Sequence, residues 1–489
     1  MSTLVSRNPV TGEVVAEHAA ADEATVREVV TRARSAGLWW TSRRPRERRD
    51  ALLRWKSELV AGSADLAAVI RAETGKPTTG ALLEVMLAVE HLDWAARNAH
   101  KVLRRRKVAA GVLAMNQRAL LEYVPFGVVG VIGPWNYPVY TPLGSISYAL
   151  AAGNAVVFKP SEYTPGVGQW LADAWARVCP EPVLQVVIGD GRTGQAVVES
   201  DVDMVAFTGS ADTARRVMAA CATRLTPLVV EAGGKDALIV AADADLDAAA
   251  GAAVFGGLGN AGQTCAGVER VYVVADVYDR FLAAVTEKAS AVRPGADDSA
   301  AYGPMTMPGQ IEVVRRHVSD ALAGGGVAAL GGTDSIRAPF VEPIVLTGVA
   351  EDSRAMREET FGPTLVVNPV RDVEEAIRLT NASPYGLAAA IFTRDKARGL
   401  STARRLRTGA VSVNSVLGFA AVPALPFGGV GDSGFGRVHG ADGLREFSRP
   451  KAVTWQRCRA PIDLMRFDAS PRAVRTALRL FRMRHGRGH

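Results

Sequence analysis

The chain has 489 residues, 48% of them hydrophobic, and a formal net charge of +7. That length supports two or three domains with full cores, but no uncharged apolar run is long enough to span a bilayer, and the opening residues lack the basic-then-apolar order of a secretory signal. Four cysteines at wide, irregular spacing (Cys179, Cys221, Cys265, Cys458) suggest neither a disulfide framework nor a metal site, and they fit a reducing cytoplasm.

Residues 22–107 read mainly as helix. Ala24–Ala36 and Arg48–Ala61 carry apolar residues at helical spacing, and the basic run Arg104-Arg-Arg-Lys107 reads as a solvated face. From Arg118 the character changes. Residues 119–133 are rich in β-branched side chains and punctuated by Pro125 and Gly127, so strands are expected up to a turn at Trp135-Asn136. An alternation follows: strand Ala155–Phe158, helix Val167–Val178, strand Val183–Val187, helix Gly194–Glu199, strand Met204–Phe207, helix Ala211–Cys221, strand Pro227–Glu231. A second alternating region spans residues 235–426, with strand Arg270–Val274, helix Val277–Val292 and strands Phe340–Leu346 and Gly409–Val413. Strands alternating with helices predict an α/β fold with mostly parallel sheets.

The last stretch is different. Arg472, Arg475, Arg479, Arg482, Arg484 and Arg487 lie in the final eighteen residues with no acid among them. Removing those six charges leaves the rest of the chain at +1, so a basic body that tracks phosphates is excluded and nucleic acid is not an expected partner. A helix is expected over Pro471–Met483, with Val474, Ala477, Leu478 and Phe481 on one face and Arg475, Arg479 and Arg482 facing away. Such a helix can lie on an anionic membrane; packing on a neighbouring subunit, or a disordered end, is the favoured reading.

Chemistry concentrates at Cys265, within Asn260-Ala-Gly-Gln-Thr-Cys265-Ala-Gly267, where small residues leave room around one sulfur. Glu231-Ala-Gly-Gly-Lys235 places a carboxylate close upstream. An accessible thiol with a carboxylate in reach suggests covalent catalysis, the sulfur attacking and the carboxylate managing a proton or a water. A buried structural cysteine is the competing reading. Four other stretches accompany it: Pro134-Trp-Asn-Tyr-Pro138, Phe158-Lys-Pro-Ser-Glu162, Phe207-Thr-Gly-Ser210 and Glu359-Thr-Phe-Gly-Pro363. In this order and at these separations, the five resemble the aldehyde dehydrogenase superfamily from about Asn8 to about Lys451.

The resemblance implies two doubly wound parallel-sheet domains. Residues 1–106 and 126–233 would form a variant Rossmann domain for the dinucleotide, and residues 234–444 the catalytic domain. Residues 107–125 and 445–458 would form a β-arm that pairs between subunits of a homodimer or homotetramer, leaving 459–489 as a basic tail. No G-x-G-x-x-G fingerprint stands at the expected place. Gly189-Asp-Gly191 followed by Gly194 comes close, but a plain turn explains it. By resemblance, Gly209 and Ser210 meet the pyrophosphate at a helix start, with Ala214 where the family often has Gly. Lys159 and Glu162 hold the adenosine ribose, Glu359 holds the nicotinamide ribose, and Trp135 and Phe361 lie at the cofactor. A carboxylate at Glu162 favours NAD, and Lys159 leaves NADP open.

For the reaction, the resemblance makes Cys265 the nucleophile. The Asn136 amide and the Cys265 backbone N–H become the oxyanion donors. Hydride transfer leaves a thioester, and Glu231 is the base that activates water to cleave it. CoA-acylating relatives generally lack that carboxylate, so a free acid is the expected product, in a chemistry that needs no metal. A CoA-acylating semialdehyde dehydrogenase and a catalytically idle member serving as a binding or structural protein are the alternatives. Thr264, Ala266, Phe419 and Phe427 line the expected pocket. The lack of an arginine clamp points to an apolar or aromatic small-molecule aldehyde.

Overall fold

The computed structural model describes residues 2–111, 114–460, 464 and 467–486; Arg487 lies outside them. The chain divides into two units, Met1–Val102 with Pro125–Ser448, and Leu103–Val124 with Arg449–His489.

The larger unit begins with an antiparallel hairpin, Thr3–Arg7 and Val14–Ala19. Four helices follow, Glu23–Ser42, Pro45–Ala61, Ser63–Thr74 and Thr78–Val102. Asp22 caps the first by accepting from the Thr25 N–H at 2.9 Å, which satisfies one orphan donor of the helix start. Its buried positions, Val26, Val29, Val30, Ala33 and Trp40, recur at helical spacing. Trp40, Trp55 and Trp175 meet edge to face beneath these helices, and Trp40 donates to the Leu150 carbonyl at 2.9 Å.

Two sheets carry the rest. The first has six strands in the order Gly434–Phe435, Leu228–Ala232, Met204–Gly209, Val128–Ile132, Ala155–Lys159, Leu184–Val186. All are parallel except Gly434–Phe435, which returns from late in the chain to pair antiparallel with Leu228–Ala232. The second has seven, in the order Val327–Leu330, Ile344–Thr347, Thr364–Val370, Val268–Val274, Asp236–Val240, Ala388–Phe392, Ala410–Val413. Only Val327–Leu330 runs antiparallel. The central strands are buried along their whole length, as parallel strands covered on both faces must be. The fold is therefore α/β with two parallel-sheet domains.

Local chemistry moved several expected boundaries. The run 119–133 is two strands, Gln117–Pro125 and Val128–Ile132, split at Phe126-Gly127. Gly127 has φ +136°, and a Cβ there would meet the Asp203 carboxylate at 2.2 Å, so the chain changes direction where only glycine fits. Phe340–Leu346 also splits. Phe340–Val341 forms a hairpin with Ile336–Arg337, and Ile344–Thr347 joins the large sheet. Pro343 lies between them and has no N–H to continue a ladder. The helix expected from Gly194 starts at Gly191, where Asp190 accepts from the Arg192 N–H at 2.8 Å.

The smaller unit holds a three-stranded sheet in the order Ser448–Gln456, Gln117–Pro125, Arg106–Val108, the last two antiparallel. Its strands pair within one chain, with Arg106 opposite Leu121 and Val108 opposite Ala119. The unit ends in helix Pro471–His485, capped by Ser470 on the Ala473 N–H. Among the described residues, no helix is long and apolar enough to cross a membrane.

Candidate active site

The stretch before Cys265 is a tight loop. Helix Leu246–Leu258 ends in a 3-10 turn, Gly259–Gly262, where Asn260 and Ala261 both take left-handed backbone angles (φ +55° and +59°). Alanine there is strained, and strain of this kind persists only where the surroundings enforce it. The Gln263 side chain supplies that enforcement. It donates to the carbonyls of Asn260 (2.9 Å) and Pro304 (3.3 Å) and accepts from the Thr306 N–H at 2.9 Å. Cys265 is a free, partly exposed thiol. It packs with Ala410, Leu417, Phe419 and Phe427 against buried Ala266, Leu387 and Ala388. The Phe419 and Phe427 rings stack at 5.7 Å. Three of the four expected pocket residues thus meet the sulfur in one apolar cluster; Thr264 instead shares a hydrogen bond with the Tyr137 hydroxyl at 3.0 Å.

Glu231 lies on the second strand of the six-stranded sheet, paired with Thr208 on one side and Gly434 on the other. It is buried, and among the described residues no hydrogen-bond donor meets either carboxylate oxygen. Burial pushes its carboxyl up to about 7, and the Cys265 thiol beside it acts in the opposite direction. The thiol is pushed well above its ordinary value, first by burial and then by the Glu231 charge. The Gly-Gly after Glu231 has a steric reason. A Cβ on Gly234 would sit 2.9 Å from the Cys265 carbonyl oxygen, and one on Gly233 would overlap the Glu359 carboxylate.

Asn136 occupies the turn after strand Val128–Ile132. Its amide donates to the Gln263 carbonyl at 3.0 Å, which ties the turn to the nucleophile loop. Its own carbonyl accepts from Lys76 Nζ at 2.8 Å and from the Asn260 amide at 3.2 Å. Lys76 is buried against Glu84, 2.7 Å away, and Glu84 accepts from the Val139 and Tyr140 N–H groups. Lys76, Glu84, Gln263 and Asn260 escaped the sequence reading as positioning residues. Asn260 and Gln263 stood inside a quoted motif; Lys76 and Glu84 gave no local signal.

Of the residues expected at the cofactor, Lys159, Glu162, Gly209 and Ser210 fall at carboxyl ends of strands and Trp135 just after one, whereas Glu359 and Phe361 lead into the amino end of strand Thr364–Val370. Lys159 closes strand Ala155–Lys159, is buried, and meets Glu162 at 3.3 Å. Desolvation lowers its ammonium and Glu162 partly restores it. Space beside it is open: a Cβ on Gly194 would find only Lys159 Cδ, at 4.0 Å, and one on Gly191 would find nothing within 4 Å. A buried cation over an unfilled glycine surface fits the anionic and polar parts of a dinucleotide. Gly209 ends its strand and Ser210 caps helix Ala211–Ala222. The Ser210 hydroxyl is engaged with Thr213, so this start offers a phosphate its backbone N–H groups first.

Trp135 and Phe361 meet edge to face at 5.6 Å. Phe361 has φ +51°, unusual for a bulky residue. A buried Lys235–Glu269 ion pair holds it there. Glu269 accepts from the Thr360 and Phe361 N–H groups at 2.9–3.0 Å, and Lys235 donates to the Thr360 hydroxyl at 3.0 Å. Neither Lys235 nor Glu269 was singled out from sequence. Glu359 turns inward and accepts from the Gly234 N–H at 3.1 Å, while Glu358 stays outside with His317 and Arg354. Among the described residues, no group of three or more His, Cys, Asp or Glu is placed to hold a metal.

A pair of parallel sheets thus brings a thiol, a buried carboxyl and an anchored amide to one loop. The model of the aldehyde dehydrogenase family matches residues 2–453, and the chain belongs to that family of oxidoreductases. It is 39% identical, over 94% of its length and 87% of the relative's, to a 4,4'-diapolycopene aldehyde oxidase of Methylomonas sp. It is 38% identical, over 87% and 83%, to a putative succinate-semialdehyde dehydrogenase [NADP(+)] of Mycolicibacterium smegmatis. Among solved structures, an NAD-dependent aldehyde dehydrogenase from Sinorhizobium meliloti superposes with TM-score 0.90 at 32% identity, covering 94% of this chain and 92% of that one.

Proposed function

We propose that the protein oxidises an apolar aldehyde to its carboxylic acid with NAD, or NADP, as acceptor. The observation that carries this reading is Glu231, a buried, donor-free carboxyl pushed up to about 7 beside the Cys265 thiol. Near neutral pH such a group can take a proton and later return it.

Glu231 deprotonates the thiol, and Cys265 Sγ adds to the aldehyde carbon. The Asn136 amide and the Cys265 backbone N–H receive the oxyanion. Asn136 suits this role because its turn is anchored by Lys76 and Asn260 before substrate arrives. Bound dinucleotide supplies the acceptor for the hydride that leaves the substrate carbon. Glu231 gives up that first proton to solvent and then draws one from water; the hydroxide attacks the acyl carbon, the C–S bond breaks, the acid departs, and Glu231 returns its proton to the Cys265 thiolate. Trp135, Lys159, Glu162, Gly209, Ser210, Glu359 and Phe361 hold the dinucleotide. The Glu162 carboxylate favours NAD, and Lys159 keeps NADP admissible; relatives are named for each.

Residues 1–106 and 126–233 carry the dinucleotide, and residues 234–444 the nucleophile. The arm, 107–125 with 445–458, joins a homodimer or homotetramer. The outer edge of Ser448–Gln456, a nine-residue strand exposed along most of its length, supports continuation across a second copy. Four free cysteines support a reducing cytoplasm.

Ala266, Leu417, Phe419 and Phe427 put apolar surface against Cys265, which favours an apolar aldehyde. The test is the rate of dinucleotide reduction across a panel of long-chain, aromatic and acidic aldehydes, with and without CoA. A kcat/KM favouring apolar aldehydes, unchanged by CoA, is expected. A preference for succinic semialdehyde, stimulation by CoA, or no turnover at all overturns the corresponding part.

A further inference from the structure

The helix Pro471–His485 is formed, capped and uncovered. It has no buried residue, and Val474, Leu478 and Phe481 are each about half exposed, at 47%, 45% and 52%. An isolated helix of this length is marginal in water, and most helical stability comes from covering an apolar face. Here Val474, Ala477, Leu478 and Phe481 recur at i, i+3, i+4 and i+7, forming one stripe. Arg472, Arg475, Arg479 and Arg482 form a second stripe, turned about a third of the way around the axis. No acid lies anywhere in the helix. Upstream, within the same unit, the Phe467 ring stands fully in solvent.

We propose that this helix docks in the plane of an anionic lipid bilayer surface. The apolar stripe sinks to the boundary between headgroups and acyl chains, roughly 5–10 Å deep, as interfacial helices do. The arginine stems lie along that boundary while their guanidinium groups reach the lipid phosphates. Charge complementarity selects this occupant. Unopposed arginines flanking an apolar stripe match a surface that is anionic outside and apolar beneath. A nucleic acid would satisfy the arginines and leave Phe481, Leu478 and Val474 in water. A spanning helix is excluded by length, since fifteen residues fall short of the ~20 needed. The inference rests on the helix alone and stands apart from the identity of the aldehyde. Its consequence is that the enzyme works at the surface where apolar aldehydes partition.

Flotation of the full chain with vesicles tests it, using phosphatidylcholine alone and phosphatidylcholine mixed with phosphatidylglycerol, at low and high salt. The full chain is expected to float only with the anionic vesicles and to sink again at high salt, where screening removes the attraction. Replacing Arg475, Arg479 and Arg482 by Gln is expected to weaken partitioning by about a hundredfold, roughly fivefold per arginine. The double variant Leu478→Gln with Phe481→Gln is expected to stay down even at low salt. Both variants should turn over a short soluble aldehyde at the unaltered rate. A full chain that never floats, or variants that float equally well, overturns the proposal. So does a change in molar mass by light scattering in the Leu478/Phe481 variant, which would assign the stripe to a second copy of the chain.

Discussion

Glu231→Gln should gain stability relative to the parent protein as pH rises. In the folded chain burial pushes the carboxyl from the ordinary 4.5 up to about 7. Below pH 4.5 the acid is neutral in both folded and unfolded chains and costs nothing through ionisation. Between those values the unfolded chain ionises first, so stability falls as pH rises, and above pH 7 the loss is complete. At ~1.4 kcal/mol per pH unit, the loss is ~3 kcal/mol. A Gln cannot ionise, so the variant escapes it. Its amide brings two buried donors of its own, but that penalty is constant with pH and drops out of the comparison. For 489 residues melting as one unit, ~3 kcal/mol corresponds to a gap of roughly 3 °C opening between pH 4.5 and pH 8. Scanning calorimetry of both proteins over that range measures it. A melting difference that stays flat with pH, or that closes as pH rises, refutes the reasoning about a donor-free buried carboxyl.

The same neighbour governs the sulfur. Since the Glu231 charge pushes the Cys265 thiol up, Glu231→Gln should move the midpoint of iodoacetamide alkylation to lower pH, read as rate against pH; an unmoved midpoint separates the two groups. Asn136→Ala removes an oxyanion donor while leaving the backbone carbonyl that Lys76 grips, so kcat should fall by ~10²–10³ with little change in KM for the aldehyde. Lys235→Met leaves the Glu269 charge buried without its cation. It should destabilise the fold by ~3–5 kcal/mol and raise KM for the dinucleotide, because the Phe361 turn loses its clamp; thermal melting and steady-state kinetics report the two effects.

The parallel sheets were legible because buried strands and amphipathic helices alternate with clear periods, from Ala155–Lys159 through Leu228–Ala232. The return of Gly434–Phe435 to the first sheet was not, since two residues carry no period and the partner strand lies two hundred residues away. The hairpin Thr3–Arg7 and Val14–Ala19 escaped for a related reason, as its second strand is mostly exposed. At the site, Cys265 and Glu231 stood out among small residues that leave space around them. The Lys235–Glu269 and Lys76–Glu84 pairs did not, because a charge destined for burial looks like any other until its partner is placed. His439 shows the limit most clearly. It is buried, has φ +64°, and lies tilted against His91 with 3.8 Å between ring centroids. Only the missing Cβ of Gly144, where a methyl would meet the His439 ring at 2.5 Å, makes room for it.

The most direct measurement of the central claim is a single-turnover experiment on Glu231→Gln with NAD and an apolar aldehyde, followed by peptide mass spectrometry. One equivalent of reduced dinucleotide per active site, then a stall with an acyl group on Cys265, is the predicted result. Steady turnover, or an acyl group found on any other residue, contradicts it.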